Sequence, residues 1–133
     1  MVQIVSRKED YKDLDLDFIA HPVTGDIAKK TGVDAIVRSM KNLVMTNFYD
    51  RPFRSYIGSN ATKLLFDNMD SLTARLLEET IIQTIENFEP RVTVLGAKAI
   101  ADYDNNGYSV KILFRVNNVI EPFEVTVFLE RIR

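Results

Sequence analysis

Cysteine and tryptophan are both absent, and His21 is the only histidine in 133 residues. Without cysteine there is no disulfide, no thiolate nucleophile and no Cys-ligated zinc, and such a usage fits a reducing compartment. One imidazole has no second His or Cys with which to complete a transition-metal site, so no metal and no cofactor is expected, and His21 beside Pro22 reads as a surface residue in a turn. The five glycines, Gly25, Gly32, Gly58, Gly96 and Gly107, lie far apart, so the closely spaced glycines of a phosphate-binding loop are missing. No Gly-flanked nucleophile elbow accompanies the single His, which argues against a Ser-His-Asp hydrolase.

Long hydrophobic runs are also lacking. No strictly apolar stretch exceeds about three residues, against the roughly 20 needed to cross a bilayer, and Met1 to Asp10 contains no signal-peptide core. A soluble protein with no membrane partner is expected. Seventeen Lys+Arg against nineteen Asp+Glu gives a net charge of −2. No excess of positive charge draws the chain to phosphate backbones, so no nucleic acid is expected as a partner.

What is present is a globular composition, 46% hydrophobic and 27% charged. A chain of this length buries roughly two thirds of its unfolded surface and sustains one core unaided. Leu14, Leu16 and Phe18 alternate with Asp15 and Asp17, the period of a short strand or extended arm, and a turn is expected at Pro22 to Gly25. From Val33 the period changes. Ile36, Met40, Leu43 and Asn47 share one helical stripe, with Val37 and Val44 beside it. Thr46 to Asn60 mixes turn residues with Phe48, Tyr49, Phe53, Tyr56 and Ile57, and reads as a loop pinned against the helices by its aromatic side chains. A short helix fits Ala61 to Asn68. The strongest helical pattern follows, capped by Asp70 or Ser71, with two neighbouring rows, Leu72, Leu76, Thr80 and Leu77, Ile81, Ile85, Phe88, while Arg75, Glu79, Gln83 and Glu86 face water. Pro90 stops that helix near Phe88.

Beyond Pro90 the pattern is β. Val92, Val94 and Ile100 take even positions of one strand. Val110, Ile112, Phe114 and Val116 alternate with Lys111, Leu113 and Arg115 in a second. Phe123, Val125, Val127 and Leu129 alternate with Glu124, Thr126 and Glu130 in a third. Asp104-Asn105-Asn106-Gly107 makes the first hairpin turn and Asn117-Asn118 begins the next reversal. The expected fold class is α+β: two to three helices packed on a C-terminal three-stranded antiparallel meander, with a short N-terminal strand or arm.

Carboxylate chemistry has little support. A glycosidase needs two acids held about 5 to 9.5 Å apart, but Glu79 and Glu86 sit seven residues apart on a polar helix face, where solvated charge is the simpler reading. Asp13, Asp15 and Asp17 lack the glycine and the closing Glu of a calcium loop. Two motifs stand apart. Arg51-Pro52-Phe53-Arg54 sets two cations around a rigid X-Pro step, and Glu89-Pro90-Arg91 brackets a proline with opposite charges at the helix-to-sheet junction. The latter is either a plain helix stop or a rigid pair of charges projecting toward a partner's groove.

The order Arg51-Pro52-Phe53, Gly58, Leu64-Leu65-Phe66-Asp67-Asn68-Met69, Leu72-Thr73-Ala74 and Asn87-Phe88-Glu89-Pro90-Arg91-Val92 resembles the baseplate wedge family of T-even-type contractile-tailed phages. That family includes sheath-initiator subunits of other contractile machines, among them type VI secretion baseplates, and was once labelled lysozyme-like. The resemblance spans about residues 30 to 133. It implies a non-enzymatic structural subunit, with residues 1–30 as an N-terminal arm and 31–133 as the wedge and sheath-initiator domain. It also implies a place in the virion tail baseplate, in multiple symmetric copies assembled in the host cytoplasm, with other wedge subunits and tail sheath arms as partners. Glu89, Pro90 and Arg91, with Arg51, Pro52 and Phe53, would contact partners, the first three docking on the core bundle of the wedge. Val110, Ile112, Phe123, Val125 and Val127 would meet sheath arms along a strand edge, by β-augmentation. A small regulatory adaptor of the same plan and, more remotely, a glycan hydrolase are the competing readings.

Overall fold

The computed structural model describes residues 12–14, 20, 22–25 and 29–131. The chain divides into two compact units, residues 1–38 and 39–133.

In the first unit, β1 (Lys12–Leu14) pairs antiparallel with β2 (Lys29–Thr31), Lys12 opposite Thr31. Pro22 to Thr24 form the expected turn and are exposed. Asp15, Leu16, Asp17, Phe18 and His21 lie outside the described residues. β2 leads directly into α1 (Gly32–Met45), which begins in the first unit and ends in the second.

In the second unit, the end of α1 buries Met40, Leu43 and Val44, as the stripe predicts, and Asn47 falls beyond the helix. α2 is one turn, Ala61–Leu64, shorter than the pattern suggested because the chain passes into turns at Leu65 to Phe66. α3 spans Ser71–Phe88. Its cap is Asp70, whose Oδ1 accepts the Thr73 N–H at 2.7 Å, and that bond holds the carboxyl below its ordinary pKa. Of the two apolar rows, only one is core: Leu77, Ile81 and Ile85 are fully buried, each contributing about 2 kcal/mol. Leu72 and Leu76 are exposed, because α3 presents a single stripe to the sheet and they lie to one side of it. Arg75, Glu79, Gln83 and Glu86 face water.

The sheet is the antiparallel meander β3 (Val92–Asp102), β4 (Gly107–Val116) and β5 (Pro122–Glu130), in that spatial order. α3 packs on β3 and α2 on α3, which is the α+β arrangement expected. β4 and β5 follow the predicted alternation: Val110, Ile112, Phe114 and Val116 are buried, as are Val127 and Leu129, and Phe114 and Phe123 stack as cross-strand partners with ring centroids 5.9 Å apart. β3 departs from its predicted parity. Val94 pairs with Phe114 but Gly96 pairs with Leu113, so Leu95 is the extra residue of a β-bulge. Beyond it inward and outward positions exchange: Ala99 is buried and Ile100 is 52% exposed.

Candidate partner-binding sites

The helix-to-sheet junction is the first. Pro90 disfavours helical geometry at the residue before it, and Glu89 has the extended angles φ −123 and ψ 84 while its N–H still closes on the Ile85 carbonyl at 2.8 Å. The side chain turns inward, and Glu89 is only 3% exposed. Ser39 Oγ donates to Oε2 at 2.6 Å, Arg91 Nε to Oε1 at 2.5 Å and Arg91 Nη2 to Oε2 at 2.8 Å. Burial is the largest influence on this carboxyl and pushes its pKa up. The hydrogen bonds from Arg91 and Ser39 and the Arg91 charge together outweigh it, and Glu89 ionises below the ordinary 4.5. A glycosidase acid requires the opposite shift.

This corrects one expectation. Glu89 and Arg91 do not project as a pair of charges; they close on each other, because two opposite charges one residue apart across a proline are within reach of a bidentate fork. Pro90 is exposed and the Arg91 side chain is partly so, at 27%. Asn117, in the turn between β4 and β5, fastens the junction from the other side, its Nδ2 donating to the Pro90 carbonyl at 2.8 Å and its N–H to the Arg91 carbonyl at 2.9 Å. Sequence reasoning missed Ser39 and Asn117. The Asn-Asn pair signalled a reversal, but nothing local tells which carbonyl a turn amide will reach.

The second site is the loop from Thr46 to Asn60. Three of its four aromatic residues do not pin it: Phe48 is half-buried, but Tyr49, Phe53 and Tyr56 are exposed, Phe53 completely. Polar groups hold it instead. Ser59 Oγ donates to the Val44 carbonyl at 2.7 Å, Ser59 N–H to the Thr46 carbonyl at 2.8 Å, Tyr49 N–H to the Ser55 carbonyl at 2.9 Å, and Asp50 Oδ2 accepts the Asn47 N–H at 2.9 Å. Gly58 lies so close to the opposite strand of the loop that a Cβ would stand 2.6 Å from the Asn47 carbonyl carbon. Arg51, Pro52 and Phe53 therefore sit together at the exposed tip of a braced loop.

The third site is the sheet border. Val110 and Ile112 are corrected here: β4 is the central strand, paired on both sides, so neither residue lies on an edge, and both are core. Phe123, Val125 and Val127 lie on β5, which is an edge. The two edges differ. On β3, Glu78 Oε1 of α3 accepts the Ala99 N–H at 2.8 Å, and the Leu95 bulge interrupts the ladder, two devices that blunt a strand edge.

That bond also sets the phase of the whole ladder. Ala99 points its N–H away from β4, so Ala99 and Val110 form a non-hydrogen-bonded pair, Val110 directs its backbone groups to β5, and Val110 with Val127 is a hydrogen-bonded pair. By the same alternation Phe123, Val125 and Val127 turn their main-chain groups toward β4. The outward-facing N–H groups belong to Glu124, Thr126, Phe128 and Glu130, all four exposed. Among the described residues no group of three or more His, Cys, Asp or Glu is placed to hold a metal ion, and no helix is long and apolar enough to cross a membrane.

The family model described as baseplate wedge protein gp25 matches residues 30–121. The baseplate wedge protein gp25 of Enterobacteria phage T4 is 33% identical over 91 residues, 68% of this chain and 69% of that protein. Among solved structures, a Geobacter sulfurreducens protein named as a tail lysozyme superposes with a TM-score of 0.68 at 19% identity, covering 74% of this chain and 89% of its own. A chain of the anti-feeding prophage baseplate gives 0.62 at 17%, covering 92% and 87%, and one of the post-contraction R2 pyocin baseplate gives 0.56 at 15%, covering 90% and 99%. At those identities the structural matches show a shared fold. The family match covers more than half of the sequence and the phage T4 relative exceeds 30% identity, and on both grounds this chain belongs to the gp25 family of baseplate wedge proteins, structural subunits of contractile tails.

Proposed function

We propose that the chain docks on the wedge core of a contractile-tail baseplate and offers β5 as the template on which the first ring of tail sheath begins. Residues 31–133 act as the wedge and sheath-initiator domain, and residues 1–30 as an arm. Pro90 and Arg91, set by Glu89, meet the core bundle of the neighbouring wedge subunits, and Arg51, Pro52 and Phe53 meet a further partner surface. The protein is carried in the virion baseplate in multiple copies and assembled in the host cytoplasm, and it performs no chemistry of its own. Of the buried or cross-linked carboxylates, Glu89 is neutralised by Arg91 and Glu78 is engaged by Ala99 N–H, which supports scaffolding roles for both.

One observation carries the templating role: β3 has a blunted edge, whereas β5 keeps a row of outward main-chain groups at Glu124, Thr126 and Phe128. An extended arm pairing there would gain affinity from backbone hydrogen bonds, as in β-augmentation generally. The side chains of Val125 and Val127 face the core side of the sheet, while Lys111 and Glu124, 3.9 Å apart on the outer face, add charges that discourage indiscriminate pairing. The test is reconstitution with the wedge and sheath proteins of the same tail. Thr126→Pro removes one outward N–H and should leave incorporation into baseplates intact while blocking sheath growth. Normal sheath on such particles would refute the template.

A further inference from the structure

The tip of the Thr46 to Asn60 loop combines three features that folding alone does not explain. Phe53 is fully exposed, at 105% of its reference area, and Tyr49 of the same loop is 84% exposed. Both are aromatic residues in the left-handed region, φ 68 and φ 73, a conformation disfavoured for bulky side chains and held at a cost in stability. Arg51 and Arg54 flank Phe53, are exposed, and make no ion pair among the described residues. The loop is nonetheless stiff, since its backbone is closed on itself by Arg54 N–H to the Arg51 carbonyl at 3.3 Å and Ile57 N–H to the Arg54 carbonyl at 3.1 Å, besides the Ser59 and Asp50 bonds.

We infer that this tip is a preformed plug: Phe53 enters an apolar socket on a neighbouring baseplate protein whose rim carries carboxylates to receive Arg51 and Arg54. An exposed aromatic on a rigid support loses little entropy on binding, which is why such residues dominate interface energetics. Two cations around it select an acidic rim and orient the insertion, because guanidinium groups pair carboxylates bidentately. Pro52 fixes the approach between them. The inference rests on the baseplate reading but is independent of the strand edge, which lies on β5, and of the Glu89 junction. It assigns a chemistry to the partner: a different protein, apolar at the centre and negative around it, not a second copy of this chain.

The experiment places a photoreactive benzoylphenylalanine at position 53 and, as a control, at the exposed Gln83 of α3, in baseplates assembled from the complete set of wedge subunits. Cross-linking from position 53 to a peptide of one other subunit with Asp or Glu flanking the attachment point is the expected result. Cross-links only between copies of this chain, or none above the Gln83 control, would overturn the plug. A second arm uses Phe53→Gly, which relieves the left-handed strain: the melting midpoint of the isolated chain should not fall, while its incorporation drops on the order of tenfold or more, and Arg51→Glu with Arg54→Glu should do the same. Undiminished incorporation of these variants would refute the inference alone. Absence of the unaltered chain from the particles would refute the baseplate reading and the plug together.

Discussion

Glu78 on α3 accepts the backbone N–H of Ala99 at 2.8 Å, and that bond, with the bulge at Leu95, blunts the border of β3. A strand edge with unsatisfied donors pairs with whatever extended chain it meets. Blunting one border and leaving the other gives the sheet a polarity that its antiparallel meander alone would lack.

Replacing Glu78 tests that polarity. Glu78→Ala should cost about 1–2 kcal/mol in urea unfolding, since it strands a donor that is partly buried, and should make the isolated chain self-associate at high concentration by light scattering. Glu78→Gln keeps an acceptor at the same place and should recover at least half of the loss.

The Glu89 clamp makes stability depend on pH. Its folded pKa lies below the ordinary 4.5, so the stability contributed by the ionised form is complete above about that pH and is lost as the pH falls through the depressed folded value. Unfolding free energies measured across the acid range should decline more steeply in the native chain than in Glu89→Gln, which has no such proton to bind. Glu89→Ala, which leaves Arg91 and Ser39 without their acceptor, should lose about 2 kcal/mol near neutrality. Equal acid slopes in all three would remove the clamp from the account.

Gly58 is fixed by its surroundings. A methyl group there would meet backbone atoms of Asn47 and Phe48 at 2.6 and 2.7 Å, at a φ of +159. Backbone cannot retreat as a side chain can, so Gly58→Ala should destabilise by about 2–4 kcal/mol and free the aromatic tip, visible as faster amide exchange at Tyr49 and Ser59.

Neighbouring positions of β5 should respond oppositely to proline. Val125 directs its N–H into the ladder with β4, so Val125→Pro should cost about 3 kcal/mol or more, whereas Thr126→Pro removes only an outward donor and should cost much less by thermal melting. Comparable losses would mean that the N–H of Thr126, too, lies inside the ladder.

These residues also show how far local sequence carries. Alternation in β4 and β5, the Asp70 cap, the α3 row Leu77, Ile81, Ile85 and the stop before Pro90 were all legible, because each depends on neighbours within a turn or along one strand. Ile100 was misplaced by a single residue, Leu95: a bulge leaves composition untouched and inverts every parity beyond it. Glu89 reads locally as a surface charge next to a proline, yet its burial depends on Ser39, 50 residues earlier in the chain. The edge role of Val110 and Ile112 failed for a related reason. Alternation identifies a strand but not its place in the sheet, and only the order β3-β4-β5 makes β4 the interior one. The loop of Thr46 to Asn60 departs from expectation, since aromatic content suggests packing where only Phe48 is half-buried and Ser59, Asp50 and the close approach at Gly58 supply the bracing.

The templating claim is tested most directly by a cryo-EM reconstruction of the baseplate carrying its first sheath ring. A sheath-subunit strand hydrogen-bonded along β5 at Glu124, Thr126 and Phe128 is the expected result. A β5 border facing solvent, with the first ring seated elsewhere, would contradict it.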